Sequence, residues 1–159
     1  GDQLVSHYAV GMGTLMSYYD FPQDDFEKGI CVMLKDKFNL PFLPYCVNGD
    51  AELREKFAFD MSFGNTMTCP GFYAPQGRKI RINTRYPKLI DELLYFHEDD
   101  FWFTNFEMET AALYGMSRLL GHKALSISAV LLNRIDNEIT GNANKILDGI
   151  IKKVLSRIA

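Results

Sequence analysis

A chain of 159 residues, 47% hydrophobic and 23% charged, has the composition of an ordinary globular protein and room for one domain with a substantial core. Its formal net charge of -3 gives no electrostatic reason to expect DNA, RNA or an anionic membrane as a partner. No apolar run in it is long enough to span a bilayer, and we expect a cytoplasmic protein.

The first half of the chain predicts short strands separated by turns and helical segments. We expect strands over residues 4–10, 30–34 and 42–47, and helical structure over residues 14–19 and 51–59. Pro41 and Pro44 mark the third strand as an edge strand or an irregular segment. Asp50 is expected to cap the helix that follows it. The chain also starts at Gly1 without a methionine and reaches an apolar stretch at Leu4, and this abrupt start predicts that it continues a longer protein.

The second half predicts alternating strands and helices. We expect strands over residues 65–69, 101–106 and 124–132, and helices over residues 87–96, 109–120 and 146–155. The helix over 109–120 has a predicted apolar face of Ala112, Leu113, Met116, Leu119 and Leu120 and ends at Gly121. The run over 124–132 is typical of a parallel strand covered on both faces. This alternation predicts an α/β layered sheet, whose ligands bind beyond the carboxyl ends of strands.

Cysteine and histidine are too scattered to predict a metal site or a disulfide framework. The residues concerned are Cys31, Cys46, Cys69, His7, His97 and His122. We expect the three thiols to be reduced and buried.

Three loops after predicted strands carry polar clusters that can bind a ligand. In residues 70–80, the amide of Gln76 and the guanidinium of Arg78 can pair with the edge of a flat heterocycle, while Phe72 packs on its face. The alternative is a solvated surface loop around a packed phenylalanine. Spacing alone favours that alternative.

The second loop contains two carboxylates where a strand passes into a helix. The positive helix terminus favours a carboxylate at Glu109, and a carboxylate can accept hydrogen bonds from two vicinal hydroxyls of a ribose. The alternative is that Glu107 and Glu109 only favour the start of the helix. The third loop offers Asn133 and Arg134, and a surface ion pair is the alternative for this arginine.

Together, three segments in this order and spacing resemble the uridine phosphorylase branch of the nucleoside phosphorylase family. They are Gly-Phe-Tyr-Ala-Pro-Gln-Gly-Arg (71–78), Asn-Phe-Glu-Met-Glu-Thr-Ala-Ala (105–112) and Ser-Ala-Val-Leu-Leu-Asn-Arg (128–134). The resemblance covers essentially the whole chain. It implies a three-layer αβα fold with a mixed, mostly parallel sheet, of which residues 1–159 are a single domain and the C-terminal portion.

The resemblance also implies roles for individual residues. Around the base, Phe72 packs on the ring, Gln76 pairs with the O2/N3 edge, Arg78 reaches O4, Leu131 and Leu132 line the pocket, and Arg134 supports the O4 region. Around the sugar, Met108 lines the pocket and Glu109 binds ribose hydroxyls, with Glu107 beside it. Gln76, Arg78 and Glu109 are the expected catalytic residues.

The implied reaction is cleavage of a pyrimidine nucleoside by phosphate, which is a co-substrate, and no cofactor or metal is implied. Purine-cleaving relatives carry an aspartate at about the position of Leu132, so its absence favours a pyrimidine. The family's phosphate-binding elements lie in its N-terminal half, and its members assemble as homo-oligomers built on dimers. Two alternatives stay open: a hydrolytic nucleosidase of the same superfamily, and a non-catalytic nucleoside-binding subunit.

Overall fold

The sheet is built outward from one long strand, β1 (Gln3–Gly11). In the computed structural model, which describes residues 2–133 and 138–158, β1 is paired on both edges. Strand β3 (Ser62–Thr68) runs parallel to β1, and β5 (Phe101–Glu107) runs parallel to β3. These three parallel strands form the centre of a mixed six-stranded sheet.

Antiparallel strands complete the sheet on either side of this parallel centre. The outer edge of β1 is shared by β2 (Tyr45–Asn48), which pairs with its carboxyl half, and β6 (Ile127–Ala129), which pairs with its amino half. Beyond β5 lies the two-residue strand β4 (His97–Glu98). A separate two-stranded ribbon joins β7 (Leu132–Asn133) to β8 (Glu138–Ile139).

Helices cover both faces of the sheet, because each face carries its own apolar cluster. On one face, α1 (Asp25–Phe38) and α3 (Leu89–Leu94) pack on a core that includes Val10, Met67 and Phe101. On the other face, α4 (Thr110–Leu119) packs against Ala9 and Val47. Two further helices in the described residues are α2 (Ala51–Phe57) and α5 (Ala143–Leu155). The predicted αβα layering with a mixed, mostly parallel centre is confirmed.

Several local predictions are confirmed. Residues 15–18 form a 3-10 turn, and the Asp50 carboxylate accepts a hydrogen bond from the backbone N–H of Leu53 at 2.8 Å, which caps α2. Gly121, with φ of 70°, adopts the left-handed conformation that ends α4. The three cysteines are buried thiols, and burial raises the pKa of Cys31 to about 11. No helix in the described ranges is long and apolar enough to cross a membrane.

The strand predicted over residues 30–34 is wrong, since these residues lie inside α1. Asp24 and Glu27 form a capping box at the start of this helix, in which each side chain accepts from the backbone N–H of the other residue. Ile30, Cys31 and Leu34 are buried at helical spacing. The short apolar run that suggested a strand is therefore one face of a helix.

The prediction for residues 124–132 is also corrected. Only Ile127–Ala129 forms β6, which is antiparallel to β1 and half-buried rather than covered on both faces. The predicted apolar face of α4 is confirmed only in part. Met116 and Leu119 pack against the core, whereas Leu113 is 58% exposed. The fully buried residues of the helix are Thr110, Ala111, Tyr114 and Gly115. The Tyr114 hydroxyl stabilises this orientation, since it donates to the Ser6 carbonyl at 2.8 Å and accepts from the Ser126 N–H at 2.8 Å.

A buried ion pair holds the end of α4 against α1. The Glu27 side chain is fully buried, and Arg118 donates to both of its oxygens at 2.6 and 2.7 Å. Arg118 also donates to the Pro22 carbonyl at 2.9 Å and to Asn48 Oδ1 at 2.6 Å. A bidentate pair with these further hydrogen bonds fixes α4 relative to the sheet.

Candidate active site

The first two of the three loops predicted to bind a ligand start at neighbouring positions at one end of the sheet. Thr68, which ends β3, is paired with Glu107, which ends β5, and the Cys69 N–H donates to the Glu107 carbonyl at 2.8 Å. The end of β1 meets them there, since the Met12 N–H donates to the Thr68 carbonyl at 2.9 Å. The loops that follow these three parallel strands therefore all start at the same end of the sheet, beyond the carboxyl ends of the strands.

The loop over residues 71–78 is held in shape by its own backbone. A 3-10 turn spans Ala74–Gln76, and the Arg78 N–H donates to the Tyr73 carbonyl at 2.8 Å. Gly77 has φ of 71°, and a Cβ at this position would approach Ile90 Cγ1 to 2.6 Å. Both the left-handed backbone and the close contact favour glycine between the two polar residues of the loop.

Gln76 and Arg78 contact each other directly. The Arg78 guanidinium donates from Nη1 to Gln76 Oε1 at 2.6 Å and to the Phe72 carbonyl at 2.7 Å. It also lies over the Phe72 ring, 3.8 Å from the centroid, while half of Phe72 stays exposed. Gln76 is buried. The three side chains predicted to recognise a base thus form one fixed cluster.

The Glu107 carboxylate lies at the amino end of α4. Its Oε2 accepts from the backbone N–H groups of Glu109 at 2.7 Å and Thr110 at 2.6 Å. Its Oε1 accepts from the hydroxyl of Thr68, and that hydroxyl in turn accepts from the Ala111 N–H at 2.9 Å. Glu107 therefore caps the amino end of α4, and one of the N–H groups that it caps is that of Glu109.

Glu109 has a different environment, although it stands at the N-cap position of α4. Its side chain caps no N–H of the helix and instead accepts from the backbone N–H of Met108 at 3.1 Å. Glu109 is exposed, and Met108 beside it is 43% exposed. The alternative that a carboxylate only favours the start of the helix therefore fits Glu107. Glu109 is the carboxylate that faces solvent at this end of the sheet.

Leu131 and Leu132 do not lie at the end of the sheet where Gln76, Arg78 and Glu109 are found. Because β6 runs antiparallel to β1, its carboxyl end lies beside Gln3, and the Val130 N–H donates to the Asp2 carbonyl at 2.9 Å. Both leucines follow from there, at the amino end of β1, whereas Glu107 lies level with the other end of that strand. The role of these leucines at the base stays a prediction, which this placement does not support.

Arg134 lies outside the described residues. Asn133, which precedes it, belongs to β7 and pairs with Glu138. The sequence interpretation missed Thr68, whose hydroxyl joins the two loops. Its signal is the alternation of threonines at positions 66 and 68, which places both side chains on the face of β3 that α4 covers.

Comparison with known proteins agrees with this architecture. Over 91 residues the chain is 34% identical to the uridine phosphorylase of Thermococcus kodakarensis, an alignment that covers 55% of this chain and 31% of that protein. The crystal structure of a Trypanosoma brucei nucleoside phosphorylase with uridine phosphorylase activity superposes with a TM-score of 0.77 over 99% of this chain and 56% of that one, at 21% identity. The chain has the nucleoside phosphorylase fold. The resemblance of the chain to nucleoside phosphorylases is confirmed.

Other solved structures with the nucleoside phosphorylase fold include enzymes named for a different base. The purine nucleoside phosphorylase of Toxoplasma gondii superposes with a TM-score of 0.58 at 15% identity, and the alignment covers 97% of this chain and 52% of that one. No family model matches the chain. The chain thus spans about half the length of these solved structures and about a third of the archaeal relative.

Proposed function

We propose that the protein cleaves the glycosidic bond of uridine-type pyrimidine nucleosides with phosphate, giving ribose 1-phosphate and the free base. The observation that carries this proposal is the joint placement of the Gln76–Arg78 pair and the Glu109 carboxylate beyond the ends of two adjacent parallel strands. The Gln76–Arg78 pair can form hydrogen bonds with the edge of a base, and the Glu109 carboxylate can accept hydrogen bonds from the hydroxyls of a ribose. The similarity to uridine phosphorylases supports the same reaction.

The base side of the reaction needs hydrogen-bond donors. As the C1′–N1 bond breaks, its electron pair moves onto the departing base, and negative charge spreads to the carbonyl oxygens. Arg78 supplies a positive donor there, and its orientation is set beforehand by its bonds to Phe72 and Gln76. A donor that is fixed before the reaction stabilises the developing charge without reorganising.

The sugar side needs an acceptor. The ribose becomes cationic while a phosphate oxygen forms the new bond to C1′ from the opposite face, and Glu109 accepts from the ribose hydroxyls and stabilises that positive charge. Its exposure leaves it accessible to a sugar, whereas Glu107 is occupied by the helix. By the resemblance, the phosphate ligands come from the N-terminal half of the family fold. We infer that residues 1–159 are one domain of such an enzyme, which is a homo-oligomer built on dimers.

The preference for a pyrimidine rests on the base-binding loop. Leu132 belongs to the separate β7–β8 ribbon, which follows β6 at the amino end of β1, so the missing purine-type aspartate does not support this preference in the structure. Gln76 and Arg78 match the carbonyl and N–H groups of uracil.

Two alternatives predict different products. A hydrolytic nucleosidase releases free ribose in the absence of phosphate, and a non-catalytic subunit binds the nucleoside without cleaving it. The decisive experiment incubates the intact protein with uridine, with and without phosphate, and identifies the sugar product by chromatography and mass spectrometry. We expect ribose 1-phosphate and uracil only when phosphate is present, and little cleavage of inosine.

Two substitutions connect that activity to the loop. Gln76→Ala and Arg78→Ala should each lower kcat/KM for uridine by roughly 10²-fold, the scale of removing one preorganised donor. Lys79→Ala, an exposed cation next to the loop, is the matched control and should change it less than about twofold. Near-normal turnover in both loop variants, or faster cleavage of inosine than of uridine, would contradict the proposal.

A further inference from the structure

The side chain of Thr68 connects the two strand ends from which the proposed site is built. Its Oγ1 donates to Glu107 Oε1 and accepts from the Ala111 backbone N–H at 2.9 Å. Thr68 is the last residue of β3 and is buried. Its hydroxyl therefore has a donor and an acceptor as partners, and both lie on the segment that carries Glu109.

The same contacts continue to the backbone of Glu109. Glu107 accepts at its other oxygen from the N–H groups of Glu109 at 2.7 Å and Thr110 at 2.6 Å. The two oxygens of a carboxylate lie in one plane with their carbon, so a hydroxyl that holds one oxygen also limits the rotation of the other. A continuous set of hydrogen bonds thus runs from Thr68 through Glu107 to the residue whose side chain faces solvent.

We propose that Thr68 is a positioning residue: its hydroxyl orients Glu107 and thereby sets the place of Glu109 relative to the base-binding loop over residues 71–78. The inference rests on the proposed function, in which Glu109 binds the ribose. That loop begins three residues after Thr68. Thr68 therefore adjoins the base-binding loop along the chain and contacts the segment that carries Glu109. A displacement of about 1 Å between groups that hold one substrate can cost as much as 10²-fold in rate.

Thr66 provides a matched control for this role. It is fully buried two residues earlier on the same face of β3, and its hydroxyl also bonds across to β5, donating to Asn105 Oδ1 at 2.7 Å. It contacts Ser6 Oγ at 2.7 Å as well. The hydroxyl of Thr66 is thus comparable to that of Thr68 in burial and bonding, but its partners lie in the middle of the sheet.

The experiment compares Thr68→Val, Thr68→Ser and Thr66→Val in the intact protein. Valine keeps the shape of threonine but has a methyl group in place of the hydroxyl, whereas serine keeps the hydroxyl and lacks the methyl group. We expect Thr68→Val to lower kcat/KM for uridine about 10- to 100-fold and to lower it less for 2′-deoxyuridine, which lacks one ribose hydroxyl. Thr68→Ser should recover most of the activity, and Thr66→Val should keep the ratio between the two nucleosides.

Amide hydrogen exchange gives a second measurement that does not depend on turnover. Exchange at Glu109 and Thr110 should accelerate in Thr68→Val and stay unchanged in Thr66→Val. Equal losses of activity in the two valine variants, or unchanged exchange at both amides in Thr68→Val, would overturn the role of Thr68. Failure of the unchanged protein to cleave any nucleoside would instead refute the proposed function, and with it the catalytic meaning of this contact.

Discussion

Glu107 and Glu109 are two residues apart, and we predict that only the replacement of Glu107 lowers the stability of the fold appreciably. Glu107→Ala removes the acceptor of two backbone N–H groups at 2.6 and 2.7 Å and leaves the buried Thr68 hydroxyl without its acceptor. Loss of a cap costs about 1 kcal/mol, and loss of a buried hydrogen bond costs about another 1 kcal/mol. We expect a loss of about 2 kcal/mol, which lowers Tm by about 4–8 °C in a protein of this size.

Glu109→Gln should leave stability almost unchanged. The side chain is exposed and accepts a single backbone hydrogen bond at 3.1 Å, so its loss should cost less than about 1 kcal/mol, including its interaction with the helix dipole. Turnover should fall instead. A hydrogen bond to a charged group is worth about 1.5–3 kcal/mol, so kcat/KM for uridine should drop about 10- to 100-fold, with a smaller drop for 2′-deoxyuridine.

The assay pairs thermal unfolding with steady-state kinetics on both nucleosides. Glu109→Gln with an unchanged ratio between uridine and 2′-deoxyuridine would remove Glu109 from the ribose site. Glu107→Ala with an unchanged Tm would show that the N–H groups of α4 do not depend on this carboxylate.

Two further predictions concern stability. Arg118→Ala leaves the fully buried Glu27 without its cation, and it should lower the free energy of unfolding in urea at pH 7 by about 3 kcal/mol. Lys123→Ala breaks an exposed ion pair and should lower it by less than about 1 kcal/mol. Equal losses of stability in the two variants would refute this reasoning. Hydrogen bonds from Arg157 and Lys153 lower the pKa of Asp60 below its usual 3.8. The ionised carboxylate therefore stabilises the folded protein above pH 3.8, and this stabilisation is lost as the pH falls through the lowered pKa. Asp60→Asn should therefore be less stable than the unchanged protein at pH 7 and approach it in strong acid, and a difference that grows with acidity would contradict this.

The parts of the fold that sequence patterns predict well are those in which local and tertiary preferences agree. The β1 segment and the Asp50 cap were predicted because β-branched residues and a short carboxylate favour the same local structure that the sheet and α2 require. Residues 30–34 were misassigned because a run of five apolar residues fits a buried strand and one face of a helix equally well.

The site shows the same division between local and distant information. The cluster of Phe72, Gln76 and Arg78 lies within eight residues, and its internal contacts follow from its own loop. The direction of β6 depends on a pairing more than 120 residues away along the chain, and this direction separates Leu131 and Leu132 from the cluster. Spacing along a sequence carries no information about such a direction.

The double pairing of β1 has a consequence for how the chain folds during synthesis. Its partner β3 begins near residue 62, but the partner of its amino half, β6, is made only when residues 127–129 leave the ribosome. Until then, among the described strands, none covers the backbone N–H and C=O groups on that side of residues 3–5. An uncovered strand edge can pair with another chain. The nascent protein therefore keeps this strand edge open to other chains until β6 is made, even after β3 has paired, and a chaperone that binds extended backbone should act in that interval.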